Sequence, residues 1–303
     1  MARIVLALLT RDNDFQLYQA ADAQQAAARE GLEVEVLYAE NNAILQIQQL
    51  YRYIHGRDVE RPAVLVVEPV SDDALERVAS KAVEAGIGWV GINRTPSYLG
   101  PLSTRHPSAL VSSVLVDQVE VGRIQGRQFR ALLPRGGHAL YVQGPSHSRV
   151  VTERRDGIQQ AIAGCGITVT PLDGAWTEES GEKAVASWLR LKTASATRVD
   201  LIGCQNDAMA VGVRRTARAH PDPERRHEWA RLSCIGVDGL PEGGQRLVDR
   251  GELAATVIGP SNGGPAVQLV ARFLRGVRPI PPEVVQKPVS YPPVEQLRAL
   301  SAG

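Results

Sequence analysis

Residues 3–14 read Arg3-Ile4-Val5-Leu6-Ala7-Leu8-Leu9-Thr10-Arg11-Asp12-Asn13-Asp14. The unbroken apolar run from Ile4 to Leu9 is too continuous for a strand with one wet face. It fits a strand covered on both faces, the situation in a parallel sheet. Four polar residues follow at once, ending in turn and helix-cap types. A strand that stops abruptly and hands over to a helix is the repeating unit to look for in the remaining chain.

The unit recurs. A strand over Arg3–Thr10 is followed by a helix from Phe15 to Glu30, closed by Gly31. Leu32–Tyr38 is a strand, and Asn41 or Asn42 caps a helix to Ile54. Ala63–Val67 is a strand, Ser71 caps a helix ending near Gly86, and Trp89–Ile92 is a strand. Leu110–Val116, Ala139–Val142, Ile167–Leu172, Leu201–Cys204, Leu232–Val237 and Ala254–Ile258 are expected strands. Helices are expected over Asp117–Leu133, Val151–Ala163, Glu178–Leu191, Asp207–Ala219, Leu240–Arg250 and Ser261–Arg275, with a last strand at Val284–Ser290. His220–Arg231 reads as a solvated polar loop. Alternation of this kind specifies α/β architecture with doubly wound parallel sheets.

The chain has 303 residues, enough for two domains at roughly 100–200 residues each. Its 34 basic and 33 acidic side chains leave a net charge of +1, without the footprint of a nucleic-acid surface. No apolar run reaches the roughly 18–20 residues of a membrane span, so no membrane insertion is expected. Cys165, Cys204 and Cys234 lack metal-ligand spacing and read as small buried residues. The apolar start is shorter than a usual signal-peptide core and no cleavage site follows. A trimmed mature chain would be periplasmic; a native start at Met1 would make it cytoplasmic.

Ligands of open parallel sheets bind beyond the carboxyl ends of the strands. There the sequence places Thr10-Arg11-Asp12, Glu68, Asn93-Arg94, Gly144-Pro145, Asn206-Asp207 and Asp238-Gly239. The loop after the first strand has no glycine, against a dinucleotide site, and neither a phosphate loop nor a GxSxG elbow occurs. No catalytic residue, metal or cofactor is expected, and the chain reads as a binding protein rather than an enzyme.

Four segments then carry a resemblance: Gln205-Asn206-Asp207-Ala208-Met209-Ala210-Val211-Gly212, Ile235-Gly236-Val237-Asp238-Gly239-Leu240-Pro241-Glu242-Gly243, Arg250-Gly251-Glu252-Leu253-Ala254-Ala255-Thr256 and Arg154-Arg155-Asp156-Gly157-Ile158. Together they resemble the type I periplasmic solute-binding proteins, especially ribose- and galactose-like sugar receptors, and the effector cores of lactose-repressor-type regulators. The resemblance implies two lobes joined by a three-crossover hinge, closing on a ligand held between them. It places 1–116 and 260–291 in one lobe and 117–259 in the other, with the last strand and the tail 292–303 free to cross back.

It further implies a sugar or sugar-like ligand, with an ABC permease or a membrane sensor as partner and a monomeric state. The alternative is a dimeric cytoplasmic ligand-sensing core lacking a DNA-binding headpiece. Phe15 and Trp176 would cover the sugar ring faces, whose C–H groups pack on aromatic rings. Arg94, Arg154, Asn206 and Asp238 match polar positions of the family's site. Asn93 replaces a carboxylate common there, Gln16 replaces a second aromatic, and Glu68 replaces an amide or Asp. These nine residues are the expected ligand contacts. Arg94 with Glu68 is expected as an interlobe or ligand-orienting pair, and Arg94, Arg105, Arg149 and Arg154 leave an anionic ligand open.

Overall fold

The computed structural model describes residues 1–56, 58–71, 73–146, 148–191 and 197–301. Asp72, expected at a helix start, and His147, expected in the loop after Val142, lie outside them. The chain forms two compact units, Met1–Val116 with Ser261–Gln286, and Asp117–Pro260 with Lys287–Gly303.

The first unit holds a six-stranded sheet. Its strands are β1 (Arg3–Leu8), β2 (Glu33–Tyr38), β3 (Val64–Val67), β4 (Gly88–Ile92), β5 (Val111–Val116) and β11 (Glu283–Gln286). The order is β11-β5-β4-β3-β1-β2, every pair parallel. Successive side chains of a strand point to opposite faces. Ile4, Leu6 and Leu8 therefore pack with Ala20, Ala23 and Ala27 of helix α1 (Asp14–Glu30) and Val267 and Val270 of helix α11 (Gly263–Leu274). Val5 and Ala7 face Leu50 and Ile54 of helix α2 (Ala43–His55) and Val78 and Ala82 of helix α3 (Glu76–Glu84). Two apolar faces account for the uninterrupted run at the N-terminus.

The second unit repeats the plan with β6 (Gly137–Gln143), β7 (Ile167–Asp173), β8 (Leu201–Cys204) and β9 (Ser233–Ile235), in the order β7-β6-β8-β9. Leu140 and Val142 face one cluster, Ala139 and Tyr141 the other. Helices α5 (Gln118–Leu132) and α6 (Arg149–Ile162) approach until backbones touch. A Cβ on Gly122 would collide with the Arg154 carbonyl, and one on Gly157 with that of Val119. Helix α7 is Glu178–Leu189, and helix α8 is Asp207–Arg218.

Several expectations are corrected. The single last strand is two: β11 runs parallel to β5, whereas β12 (Val289–Tyr291) pairs antiparallel with β10 (Thr256–Ile258) of the second unit. Residues 287–291 thus leave the first unit, and Pro288, unable to donate to a ladder, marks the break. The expected loop at His220–Arg231 contains helix α9 (Pro223–Arg231), capped by Asp222, with Trp229 buried 5.7 Å from Trp188. The clues were a cap residue followed by proline at the first helical position. Ser71 does not cap; a 3-10 turn over Asp73–Leu75 precedes α3. Leu240–Arg250 is broken at Gly243 before a short helix α10 (Arg246–Asp249). Short helices α4 (Leu99–Arg105) and α12 (Val294–Ser301) were not anticipated. Cys204 and Cys234 are buried, but Cys165 is partly exposed.

Candidate functional site

In the first unit the candidate residues stand where β1, β3 and β4 end. Asn13 caps α1, its Oδ1 accepting from the backbone N–H of Phe15 and Gln16. This cap turns the chain sharply enough to keep Phe15 in the first helical turn. Phe15 is half-buried, and among the described residues it belongs to neither core cluster of the unit.

Gln16 and Glu68 are buried and face each other. Gln16 Oε1 accepts from the Leu9 N–H at 3.1 Å, and its Nε2 donates to Glu68 Oε2 at 2.9 Å. Gln19 Nε2 donates to the same oxygen at 3.0 Å. Gln46 holds the backbone, donating to the Glu68 carbonyl at 2.7 Å and accepting from the Val70 N–H at 3.0 Å. Burial pushes the Glu68 carboxyl above the usual carboxylate range, opposed by the amides of Asn93, Gln16 and Gln19 and by the Arg94 charge. Glu68 and Arg94 belong to the same unit.

The Glu68 shift has a testable sign. A carboxyl whose folded pKa is raised contributes stability that is fully present below its unfolded pKa. That contribution is lost as pH rises through the folded value. Glu68→Gln keeps an acceptor for Gln16 and Gln19 and cannot ionise. As pH rises above the ordinary carboxylate value of about 4, the native protein should therefore lose stability relative to Glu68→Gln. Thermal unfolding of both proteins across that range measures the difference. A gap that stays constant with pH contradicts the assignment.

In the second unit the residues gather where β6, β7, β8 and β9 end. Arg154 is a buried arginine on α6. Its Nε donates to Gln118 Oε1 at 2.8 Å and its Nη1 to the Gln205 carbonyl. Its guanidinium lies 5.8 Å from the centroid of the Trp176 ring. Burial pulls its pKa down, and the charge of Asp238, then Tyr141 and Asp207, works against this. Trp176 rests over Gly144, where any Cβ would overlap the indole. Asn206 is saturated on one side as the cap of α8, accepting from the Met209 N–H at 2.9 Å. Its Nδ2 donates to the Trp176 carbonyl at 2.9 Å.

Asp207, which the sequence reading passed over as a contact, anchors this end. Its Oδ1 accepts from Thr256 Oγ1 at 2.7 Å and its Oδ2 from the Gly239 N–H at 2.8 Å. Burial and the neighbouring Asp238 push its carboxyl well above the ordinary range. Gly236 and Gly244 leave it room, since a Cβ on either would strike the carboxylate. Gln19, Asn262, Gln118 and Gln205 were missed as well. Gln205 and Asp207 flank Asn206 in the quoted motif, and Gln19 lies three residues after Gln16 on α1. Asn262 gave no local signal. Of the four arginines, Arg94 and Arg105 are in the first unit, and Arg149 and Arg154 are in the second. Arg149 pairs with Glu153 at 2.7 Å, and Arg105 donates to the Pro101 carbonyl at 3.3 Å.

Backbone conformation singles out the same places. Among the described residues, the non-glycine residues with left-handed φ are Glu40 (48°), Asn41 (55°), Asn93 (63°), Trp176 (67°) and Asp238 (107°). All five follow the C-terminal end of a parallel strand. Such strain persists only where its surroundings hold it, and it concentrates at functional sites.

A family model described as periplasmic binding protein domain matches residues 4–276. The chain belongs to this family. The periplasmic-binding-protein chain is 25% identical over 275 residues to the ribose import binding protein RbsB of Salmonella typhimurium, covering 90% of this chain and 85% of that one. A solute binding protein of an ABC transporter from Actinobacillus succinogenes, solved with bound D-allose, matches it with a TM-score of 0.83 at 18% identity. That match covers 99% of this chain and 100% of the other. A Caulobacter myo-inositol binding protein matches with a TM-score of 0.78 at 23% identity, over 95% and 92% of the two chains. The structural matches establish the type I periplasmic-binding-protein fold of two α/β lobes with parallel sheets.

Proposed function

We propose that this periplasmic binding protein is a receptor for a sugar or sugar-like polyol, working without bond chemistry and delivering its ligand to an ABC permease. Periplasmic residence of the mature chain goes with that role. The observation that carries the reading is the coincidence of strained backbone and ligand-suited side chains: Trp176 and Asp238 are each both. A sugar needs apolar faces and dense hydrogen bonding together. Phe15 and Trp176 offer the first; Arg94, Arg154 and Asp238 offer the second.

Gln16, Glu68 and Asn206 direct their bonds to other protein groups, so we assign them to holding the site rather than to contacting the ligand. A ligand engaging groups of both units binds fully only when both are engaged, and this biases the population toward a closed form.

A thermal-shift panel of pentoses, hexoses, inositols and sugar phosphates tests this. A true ligand at 100 times its Kd stabilises by about 2.7 kcal/mol, on the order of several degrees. Small-angle scattering should show compaction with the same compound. A panel without a stabilising member, or turnover of the compound that stabilises, overturns the reading.

A further inference from the structure

We infer that Asn262 is a positioning residue: acting through Asn93, Gln19 and Glu68, it sets the loop that carries Arg94 and the first turn that carries Phe15. The inference rests on the receptor reading above. Asn262 precedes α11, a position where asparagine ordinarily caps the helix. Here its side chain caps nothing. Ser261 Oγ accepts from the Gly263 N–H at 3.0 Å and Asp22 Oδ2 from the Gly264 N–H at 2.9 Å, so both capping duties are filled by others. Asn262, fully buried, instead turns its Nδ2 to Asn93 Oδ1.

The direction of every link is dictated by two backbone donors. The Leu9 N–H faces Gln16 Oε1, and the Asn262 N–H faces Gln19 Oε1 at 3.4 Å. A carboxamide that accepts on one side presents its NH2 on the other. Gln16 and Gln19 must therefore both donate to Glu68. Asn93 Nδ2 donates to Gln19 Oε1 at 3.2 Å, which leaves Asn93 Oδ1 as acceptor and Asn262 as donor. Reversing any single amide sets two oxygens against each other. Asn262 Oδ1 is buried with no partner among the described residues, a cost the arrangement carries.

The relay holds Asn93 in its left-handed conformation and turns its carboxamide inward. A carboxylate at position 93, common in the resembled receptors, would oppose Gln19 Oε1. This gives Asn93 a reason to be an amide in this chain.

Asn262→Ala and Asn262→Asp test the relay in the full-length protein. The Asn93 N–H, bonded to the Val114 carbonyl at 2.9 Å, reports on the loop without any ligand. In Asn262→Ala its hydrogen exchange should quicken at least tenfold, with the β1 amides unchanged. Affinity for the most stabilising sugar of the panel should fall at least tenfold, and Asn93→Ala should add nothing to that loss. Asn262→Asp, of the same shape but unable to donate, should be worse than Asn262→Ala in both readouts.

The relay is overturned by unchanged Asn93 exchange, by additive affinity losses, or by an Asp variant nearer the native protein than the Ala variant. If Asn262→Ala does not fold, Asn262→Ser, with a donor too short to reach Asn93, is read the same way. If no sugar binds, the receptor reading fails while the exchange measurement still decides on the relay.

Discussion

Replacing Trp176 by alanine is expected to lower ligand affinity by roughly 30- to 150-fold, a loss of about 2–3 kcal/mol. In the proposed site the indole would cover a sugar face of ~80–100 Å², worth ~25 cal/mol per Å². Its contact with the Arg154 guanidinium contributes a further ~0.5–1 kcal/mol to the order of that residue. Trp176→Phe should restore most of the affinity, because a ring still fills the space above Gly144. Titration calorimetry with the best sugar of the panel measures both variants. Native affinity in Trp176→Ala would remove Trp176 from the site. Gly144→Ala supplies an independent check: the added methyl overlaps the indole and should weaken binding without removing any ligand-contacting atom.

The second large effect is on stability. Gly157→Val should destabilise the second unit by about 3–5 kcal/mol, lowering its Tm on the order of 10 °C. The side chain would meet the Val119 carbonyl and the backbone of Arg123 and Gly122, none of which can rotate away. The helices must part, and α6 carries Arg154 with it. Gly100→Ala is the control, because its Cβ enters open space within α4 and its φ is not left-handed. That change should be neutral or slightly stabilising. A Gly157 variant as stable as the Gly100 variant would mean that the α5–α6 contact tolerates separation.

Much of the fold was legible because its determinants are local. Apolar runs such as Ile4–Leu9 and Ala63–Val67 stop sharply at polar residues, and caps such as Asn13, Asn42 and Asp117 follow. Strand ends then locate a site in any open parallel sheet. The second unit's charged group was half seen. Arg154 and Asp238 were chosen, while Asp207, at the same strand end as the chosen Asn206, was not carried into the contacts. Burial distinguishes them, and burial is not written in a motif. The helix at Pro223–Arg231 was missed because its composition is polar. Trp229 and a proline-led cap decided otherwise.

By itself, then, the sequence determined the strand–helix alternation, the two parallel sheets, the helix start that carries Phe15 and the loops that carry Asn93, Trp176 and Asp238. Periodicity, caps and breaks act within a few residues, so they survive being read without coordinates. Only the tertiary structure decided that Glu68 is withdrawn among glutamine amides, that residues 287–291 join the second unit, and that Asn262 meets Asn93. Those two asparagines are 169 positions apart. Their contact follows from α11 packing beside α1 on one face of the first sheet, and no local pattern encodes it.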